Sequence, residues 1–519
     1  MCACDSSVWD AIVIGSGIGG LAAAAALGKR GRKVLLLEQH SVLGGQTQTF
    51  RRGDWEFATG VHYIGGVGPH PGRDGQFGRL LGWLSDGALQ FAPCTNPYDI
   101  VHLPGYEFGI SHPESAYRSA LMSRFPDEHR AIDRWFDACR EARASAFASF
   151  AMRGLPNWIA GGVRLLRGSG TTAWANRTVA DELSHIKNPR LRAILGARWG
   201  DYGAIPDQAP LAEHALVMGA YDGGAYYPVG GPARFAQSLL PAVLAAGGAY
   251  RVDASVKSIL LRDGQVAGVE FLQGDVASTE STRHVISDIG ATNTVACLPD
   301  SATVDWRAAL APLRPGPGFV CLYVGFEGDI ATAGASSANH WIYEQDEIGR
   351  LWRSPSDEDA PALFVSFPSL KDPSWRGPHT GEVIALVDPD AFVAWMDPRH
   401  ATARVGDSAD YAATKEWIAA RLLAQFGRHF PQLATMVKFH EAATPITQKR
   451  FTQIVGGSMY GLEMSGARLT SPALSTRTPI TGLLLSGQDV TGPGIPAAFM
   501  AGMMAAAAVD PGVWREMGR

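Results

Sequence analysis

The 519-residue sequence predicts an α/β protein: a Rossmann-like dinucleotide-binding domain interleaved along the chain with an α+β substrate-binding domain. Three observations carry that expectation. A glycine-rich turn joins a strand to a helix near the start, the same strand-and-helix pattern resumes after residue 227, and a last apolar strand with an alanine-rich helix closes the chain.

The opening unit runs in a fixed order. Ala11-Ile12-Val13-Ile14 reads as a buried strand, Gly15-Ser16-Gly17-Ile18-Gly19-Gly20 as a turn entering a helix, and Val34 to Leu37 as a second strand ending at Glu38. Gly15 permits the tight turn, Gly17 lets the backbone approach a pyrophosphate, and Gly20 lets helix and strand pack closely. Gly19 stands among the free helix-start amides that face phosphate charge. Glu38, twenty-one residues beyond Gly17, sits where a carboxylate accepts from ribose hydroxyls. Gln39 to Leu43 then lead into Gly44-Gly45, which permits a second close backbone approach. This pair of glycine motifs resembles the FAD-binding amine oxidase and phytoene desaturase superfamily. The expected cofactor set is Gly15, Gly17, Gly19, Gly20, Glu38, Gln39, Gly44 and Gly45, with Val256 contributed by the strand expected over 252–261.

Length and composition bound the remainder. A chain this long exceeds one ordinary core, and 46% hydrophobic with 18% charged residues suits a large buried interior. A net charge of −5 leaves no basic footprint for nucleic acid. The six cysteines are scattered without metal-ligand spacing and read as reduced thiols of a cytoplasmic protein. The first apolar run belongs to the nucleotide-binding strand, so no ordinary signal peptide is expected. No stretch reaches eighteen uninterrupted apolar residues, which excludes a conventional spanning helix.

Domain boundaries are expected to be discontinuous: residues 1–96, 227–297 and 479–519 form the dinucleotide domain, and 97–226 with 298–478 form the substrate domain. Residues 97–226 read as helical. A helix is expected from Ala233 to Ala246, with strands at 252–261, 265–272 and 284–287. Strands such as Phe319 to Phe326 and Val383 to Val387 then alternate with helices such as Tyr411 to Phe426. At the end, Gly482 to Ser486 reads as a buried strand turned by Gly487-Gln488-Asp489. Gly492 to Ala497 then opens a helix at Ile495 whose amides face an electron-rich flavin edge. Asp489 is placed to accept from the ribityl chain.

Five further stretches extend the resemblance over nearly the whole chain: Gly60-Val61-His62-Tyr63-Ile64-Gly65, Gly200-Asp201-Tyr202-Gly203, Tyr227-Pro228-Val229-Gly230-Gly231, Phe367-Pro368-Ser369-Leu370-Lys371-Asp372-Pro373 and Gly487-Gln488-Asp489-Val490. With them the chain resembles the retinol saturase branch of the carotenoid isomerase and phytoene desaturase family. That resemblance implies FAD, a lipophilic polyene or isoprenoid alkene, and redox chemistry at carbon–carbon double bonds. It leaves saturation, cis–trans isomerisation and desaturation as three outcomes on one scaffold, with saturation the leading expectation.

Saturation needs a hydride from reduced flavin and a proton from a nearby acid. Tyr63 leads the candidates, followed by His62, which also falls in the expected cofactor set; Tyr202 and Tyr460 come next. Each has a plain packing alternative. The electron source stays open between NAD(P)H meeting the flavin face and another protein or reduced carrier, because no second strand-linked glycine fingerprint is present. Two rivals share the fold, a flavin amine oxidase and a prenyl carrier without flavin; the colour of the purified protein separates the carrier from the enzymes.

Peripheral membrane contact at the inner face of a membrane is expected through residues 147–167. From Ala151 to Gly200 the chain carries eight Lys or Arg against only Asp181 and Glu182, and the core of the stretch combines Trp158, Leu165 and Leu166 with arginines. The alternative is a lid packed on the substrate domain.

Overall fold

The structure is a computed structural model that describes residues 9–70, 73–154, 173–355, 357–396 and 409–518. Ala11–Ile14, Val34–Leu37 and Leu483–Leu485 are unbroken apolar runs, and every residue in them is buried. Such runs suit parallel strands covered on both faces. They join Ala249–Arg251 and Val285–Ser287 in a five-stranded parallel sheet ordered 249–251, 34–37, 11–14, 285–287, 483–485. Three distant parts of the chain therefore build one sheet.

Alanine and glycine set how close its helices lie. The helix Ile18–Lys29 buries Ala22 to Ala26 completely and packs against the closing helix Ile495–Val509. A Cβ on Gly502 would stand 2.1 Å from the Gly19 carbonyl oxygen, and one on Gly28 would stand 2.4 Å from that of Ala242. Backbone-to-backbone contact at these points is what brings the starts of two helices to the same edge of the sheet.

The second sheet is mixed and seven-stranded. Its order is Val437–Ala443, Gly318–Phe326, Thr380–Val387, Ala362–Ser366, Asn339–Tyr343, Asp99–Leu103, Tyr106–Ile110, with only the pair 339–343 and 99–103 parallel. One face packs on the helices His129–Arg153 and Leu211–Ala220 side of the molecule; the other is covered by the helix Ala409–His429.

The strands 99–103 and 106–110 correct the expectation that 97–226 is helical throughout. The run Asp99 to Leu103 alternates buried with half-buried positions, and Pro104-Gly105 turns the chain into the next strand. Val276–Ser281 is a further strand not anticipated; polar and largely exposed, it pairs only with Gln265–Gln273. Elsewhere expected and observed elements agree within a few residues, as for 234–245, 254–262, 285–287 and 409–429. The described cysteines Cys94, Cys139, Cys297 and Cys321 are unpaired thiols. Among the described residues no helix is long and apolar enough to cross a membrane.

Candidate active site

A cavity of about 1380 Å³ runs between the two sheets, from the glycine turn at one end to an aromatic chamber at the other. Ordinary small-molecule pockets reach only about 1,000 Å³, so this one has room for a dinucleotide and a second molecule together.

At the first end Gly15 takes φ +91, which turns the chain from strand into helix. Glu38 is buried and accepts from Ser16 N at 2.9 Å, Ser16 Oγ at 2.6 Å and His40 N at 2.8 Å. Ser16 Oγ in turn accepts from Gly44 N at 2.9 Å, which ties the two glycine motifs together. A Cβ on Gly45 would lie 3.2 Å from Gly17 Cα. Gln39 and Val256 border the same end of the cavity. Gly20 packs beneath the turn, where a Cβ would stand 2.1 Å from the Gly15 carbonyl oxygen.

Where the first glycine motif meets the strand end at Ser287 and the closing segment, three polar atoms are buried without partners: Asp288 Oδ1, Ser486 Oγ and Asp489 Oδ1. Asp489 Oδ2 accepts from Ala291 N at 2.9 Å, so one oxygen holds a neighbouring helix start while the other stays unsatisfied. Gly487 and Ile495 line the cavity beside it. Orphaned polar atoms together with glycines on which no side chain would fit describe a cradle for a polar, extended ligand, and these residues fit a dinucleotide.

Glu213 adds a fourth buried polar atom without a partner. It projects from the helix Leu211–Ala220 beside Gly492, its Oε2 is unsatisfied, and burial pushes its carboxyl up to about 7 against the pull of Arg468 and Arg153. Both arginines are themselves buried and spend their donors on the carbonyls of Leu462, Gln488, Val490, Arg468 and Leu469.

The far chamber gathers two charge clusters. In the first, His62 Nδ1 meets Glu382 Oε2 at 2.6 Å; Glu382 is fully buried, and its Oε1 accepts from Ala58 N at 3.2 Å. The His62 carbonyl accepts from Lys371 Nζ at 2.7 Å, and Lys371 also donates to Ser366 Oγ and Asn339 Oδ1. Burial lowers Lys371 to about 8, against the carboxylates of Glu382 and Asp99 and the nearby Cys94. His62 borders the cavity, and its Nε2 makes no hydrogen bond among the described residues.

In the second cluster the Tyr63 hydroxyl lies 3.2 Å from Asp201 Oδ2 and 3.3 Å from Asp99 Oδ2, and it accepts from Arg198 at 3.0 Å. Arg198 pairs with both carboxylates, at 3.0 Å to Asp99 and 2.7 Å to Asp201, and stacks over the Tyr221 ring at 4.3 Å. Burial raises the Tyr63 phenol well above its usual value despite Arg198, and for the same reason pushes Asp99 up to about 6 and raises Asp201.

Of the four candidates for proton delivery, His62, Tyr63 and Tyr460 border the cavity. Tyr202 does not: it is buried with its hydroxyl 3.0 Å from Nδ1 of His214, whose burial pushes it down to about 3 and keeps the ring neutral. Its neighbour Asp201 borders the cavity instead. Asp201 and Lys371 lie inside two of the family-like stretches, so their stretches were visible although the residues were not singled out. Glu382 carried a different signal, a lone acid directly before the apolar run Val383 to Val387. Asp288 directly follows a buried strand of the nucleotide-binding sheet. Glu213 and Arg198 had no local signal.

The described part of the expected membrane segment is the end of the helix His129–Arg153, where Phe147 is 62% exposed and Phe147 and Phe150 border the cavity; Trp158 and Leu165 lie outside the described residues.

Residues 13–73 match the model of the NAD(P)-binding Rossmann-like domain. The chain is 33% identical to the all-trans-retinol 13,14-reductase of Danio rerio over 93% of its own length and 82% of that protein. To the chloroplastic prolycopene isomerase of Daucus carota it is 25% identical, over 96% of this chain and 80% of that one. Among solved structures, the cyclohexylamine oxidase of Brevibacterium oxydans superposes with a TM-score of 0.63 at 16% identity, covering 97% of this chain and 99% of that one, a likeness of fold. The chain thus belongs to the all-trans-retinol 13,14-reductase family of oxidoreductases, the retinol saturase branch of the group that also holds the prolycopene isomerases.

Proposed function

We propose that this oxidoreductase binds FAD along the cavity and saturates one carbon–carbon double bond of a conjugated, lipophilic alkene of the polyene or isoprenoid class. The observation that carries this reading is the single cavity that joins the glycine cradle at Gly17 and Glu38 to the aromatic chamber at His62 and Tyr63. Gly15, Gly17, Gly19, Gly45 and Glu38 would hold the adenosine and pyrophosphate, and Asp489 with the Ile495 helix start would face the flavin ring. FAD, when bound and reduced, supplies a hydride to one alkene carbon.

The chain must supply the proton for the other carbon, and we assign that role to His62. Glu382 holds Nδ1 and so fixes the ring, leaving Nε2 as the donor toward the cavity. Tyr63 is the weaker acid, because burial holds its proton and its hydroxyl is already committed to Asp201, Asp99 and Arg198. Its ring serves as a chamber wall. Access for an apolar substrate is assigned to the Phe147 side, with peripheral membrane contact through residues 147–167.

Isomerisation is the second reading, favoured by the match to the prolycopene isomerase. Anaerobic incubation of the reduced holoprotein with retinoids, carotenoids and unsaturated terpenoids, followed by product mass, separates the readings. A gain of two hydrogens supports saturation. A loss of two, or an unchanged mass with altered retention, replaces it by desaturation or isomerisation, and a colourless protein that rejects FAD replaces all three by a carrier.

A further inference from the structure

The carboxyl of Asp288 lies inside the cradle that the glycine fingerprint forms. Three separate pieces of backbone converge on it. A Cβ on Gly17 would meet its Oδ2 at 2.5 Å, and Cβ atoms on Gly19 and Gly487 would meet its Oδ1 at 2.4 and 2.6 Å. Asp288 is held there by its own backbone, whose N–H donates to the Ile14 carbonyl at 2.8 Å at the end of the strand Val285–Ser287. Oδ1 is shut away from solvent and has no hydrogen-bond partner, although the residue borders the cavity.

That position conflicts with an ionised side chain once a dinucleotide is present. Gly17 and Gly19 are the points where the backbone would approach the pyrophosphate, so a pyrophosphate bound there would bring its negative charge beside the carboxyl. The titratable groups facing Asp288 are also acids, Glu38 from the second strand and Asp489 from the closing segment. The counterweights are the dipoles of the Gly20 amide and the Ser486 hydroxyl, which lie nearby without closing a hydrogen bond onto Oδ1. A neutral carboxyl resolves the conflict, because its O–H donates a hydrogen bond to a phosphate oxygen where a carboxylate would repel it.

We propose that Asp288 is a proton-linked element of the cofactor site: it binds the FAD pyrophosphate in its protonated form, so that each FAD bound above neutral pH brings one proton into the protein. This rests on the assignment of FAD to the cavity. Burial already pushes the free carboxyl up to about 7, and bound pyrophosphate raises it further. Affinity is therefore complete below the free-state value and falls as pH rises past it, by about tenfold per pH unit, until the value of the bound state is reached.

The test is FAD retention by the holoprotein, read as free-flavin fluorescence after dilution between pH 6 and 9.5. For wild type the dissociation constant is expected to be flat up to about pH 7 and then to climb about tenfold per unit. Asp288→Asn keeps the shape and a permanent donor; it should remove the slope and hold FAD at least ten times more tightly than wild type at pH 9. Asp288→Ser, which keeps a hydroxyl donor, guards against an Asn variant that fails to fold and should also be flat. A wild-type constant independent of pH, or the same slope in a folded Asn or Ser variant, overturns the role of Asp288. A protein that binds no FAD at any pH overturns the cofactor assignment itself.

Discussion

Two neighbouring residues of the chamber are distinguished by what their polar atoms already do. The Tyr63 hydroxyl has three partners and a phenol that burial makes a poor acid, whereas His62 offers an Nε2 without a hydrogen bond among the described residues, backed by a buried carboxylate. His62→Gln should therefore lower the rate of product formation about a hundredfold or more with flavin retained, the usual scale of general acid catalysis, while Tyr63→Phe costs less than about tenfold. Single-turnover rates of the reduced enzyme check both, and the reverse ranking would return the proton to Tyr63. Glu382→Gln removes the carboxylate that holds Nδ1 and orients the ring, so product formation should fall about tenfold or more with flavin retained. An unchanged single-turnover rate in the folded, flavin-loaded variant would remove Glu382 from that positioning role.

A stability prediction concerns Glu213. Its folded-state value, about 7, lies above the 4.5 of an ordinary glutamate. The folded protein thus binds a proton that the unfolded chain releases between those two pH values, and stability falls as pH rises through that window. Glu213→Gln removes the penalty. Thermal melts should show the variant more stable than wild type at pH 8, by up to about 3 kcal/mol, with the difference gone near pH 4.5. A variant equal to wild type at pH 8 would mean that Arg153 and Arg468 fully compensate the buried charge.

At the scale of elements, the site depends on two helices meeting edge to edge. Gly502 touches the Gly19 carbonyl, so any side chain there drives the closing helix away from the turn that receives the cofactor. Gly502→Val should cost about 1–3 kcal/mol or more, the range for overpacked cores, and release flavin before the protein unfolds globally. Flavin loss measured as a separate, earlier transition in a melt followed at two wavelengths checks this; coincident transitions would refute it. The same close packing explains why these elements were legible in the sequence. Small residues and unbroken apolar runs such as Val34 to Leu37 have few structural alternatives.

The substrate side was legible only in part, because its strands carry mixed patterns. Asp99 to Leu103 holds a buried acid and a histidine, and the Pro104-Gly105 turn outweighs the apparent helical spacing around it. His62, Tyr63 and Tyr460 announced themselves in a recognisable stretch or beside glycine. Glu382 and Asp288 are brought to the site by strands that pair with distant parts of the chain and Asp201 by a short helix, so that 320 positions separate His62 from its partner Glu382. No local pattern encodes that distance.

For the whole molecule the open question is how an apolar alkene reaches a chamber buried between two sheets. Phe147 stands 62% exposed on a helix whose inner residues border the cavity, at the start of a stretch with eight basic residues against two acids in a chain of net charge −5. Arg153 and Arg198 of that stretch are buried, but an exposed aromatic followed in sequence by an excess of basic residues suits the surface of an anionic bilayer, from which a polyene could pass directly inward. Wild-type protein should float with anionic vesicles at low salt, and binding should weaken between about 0.01 and 0.15 M salt as the screening length shrinks from about 30 to about 8 Å. Phe147→Glu with Trp158→Glu should remain in the soluble fraction while staying yellow, and should lose turnover with vesicle-borne substrate far more than with substrate delivered in detergent. If wild type stays soluble with every lipid composition, the alkene arrives from solution or from a carrier protein. The exposed Phe147 then belongs to a lid over the cavity rather than to a membrane contact.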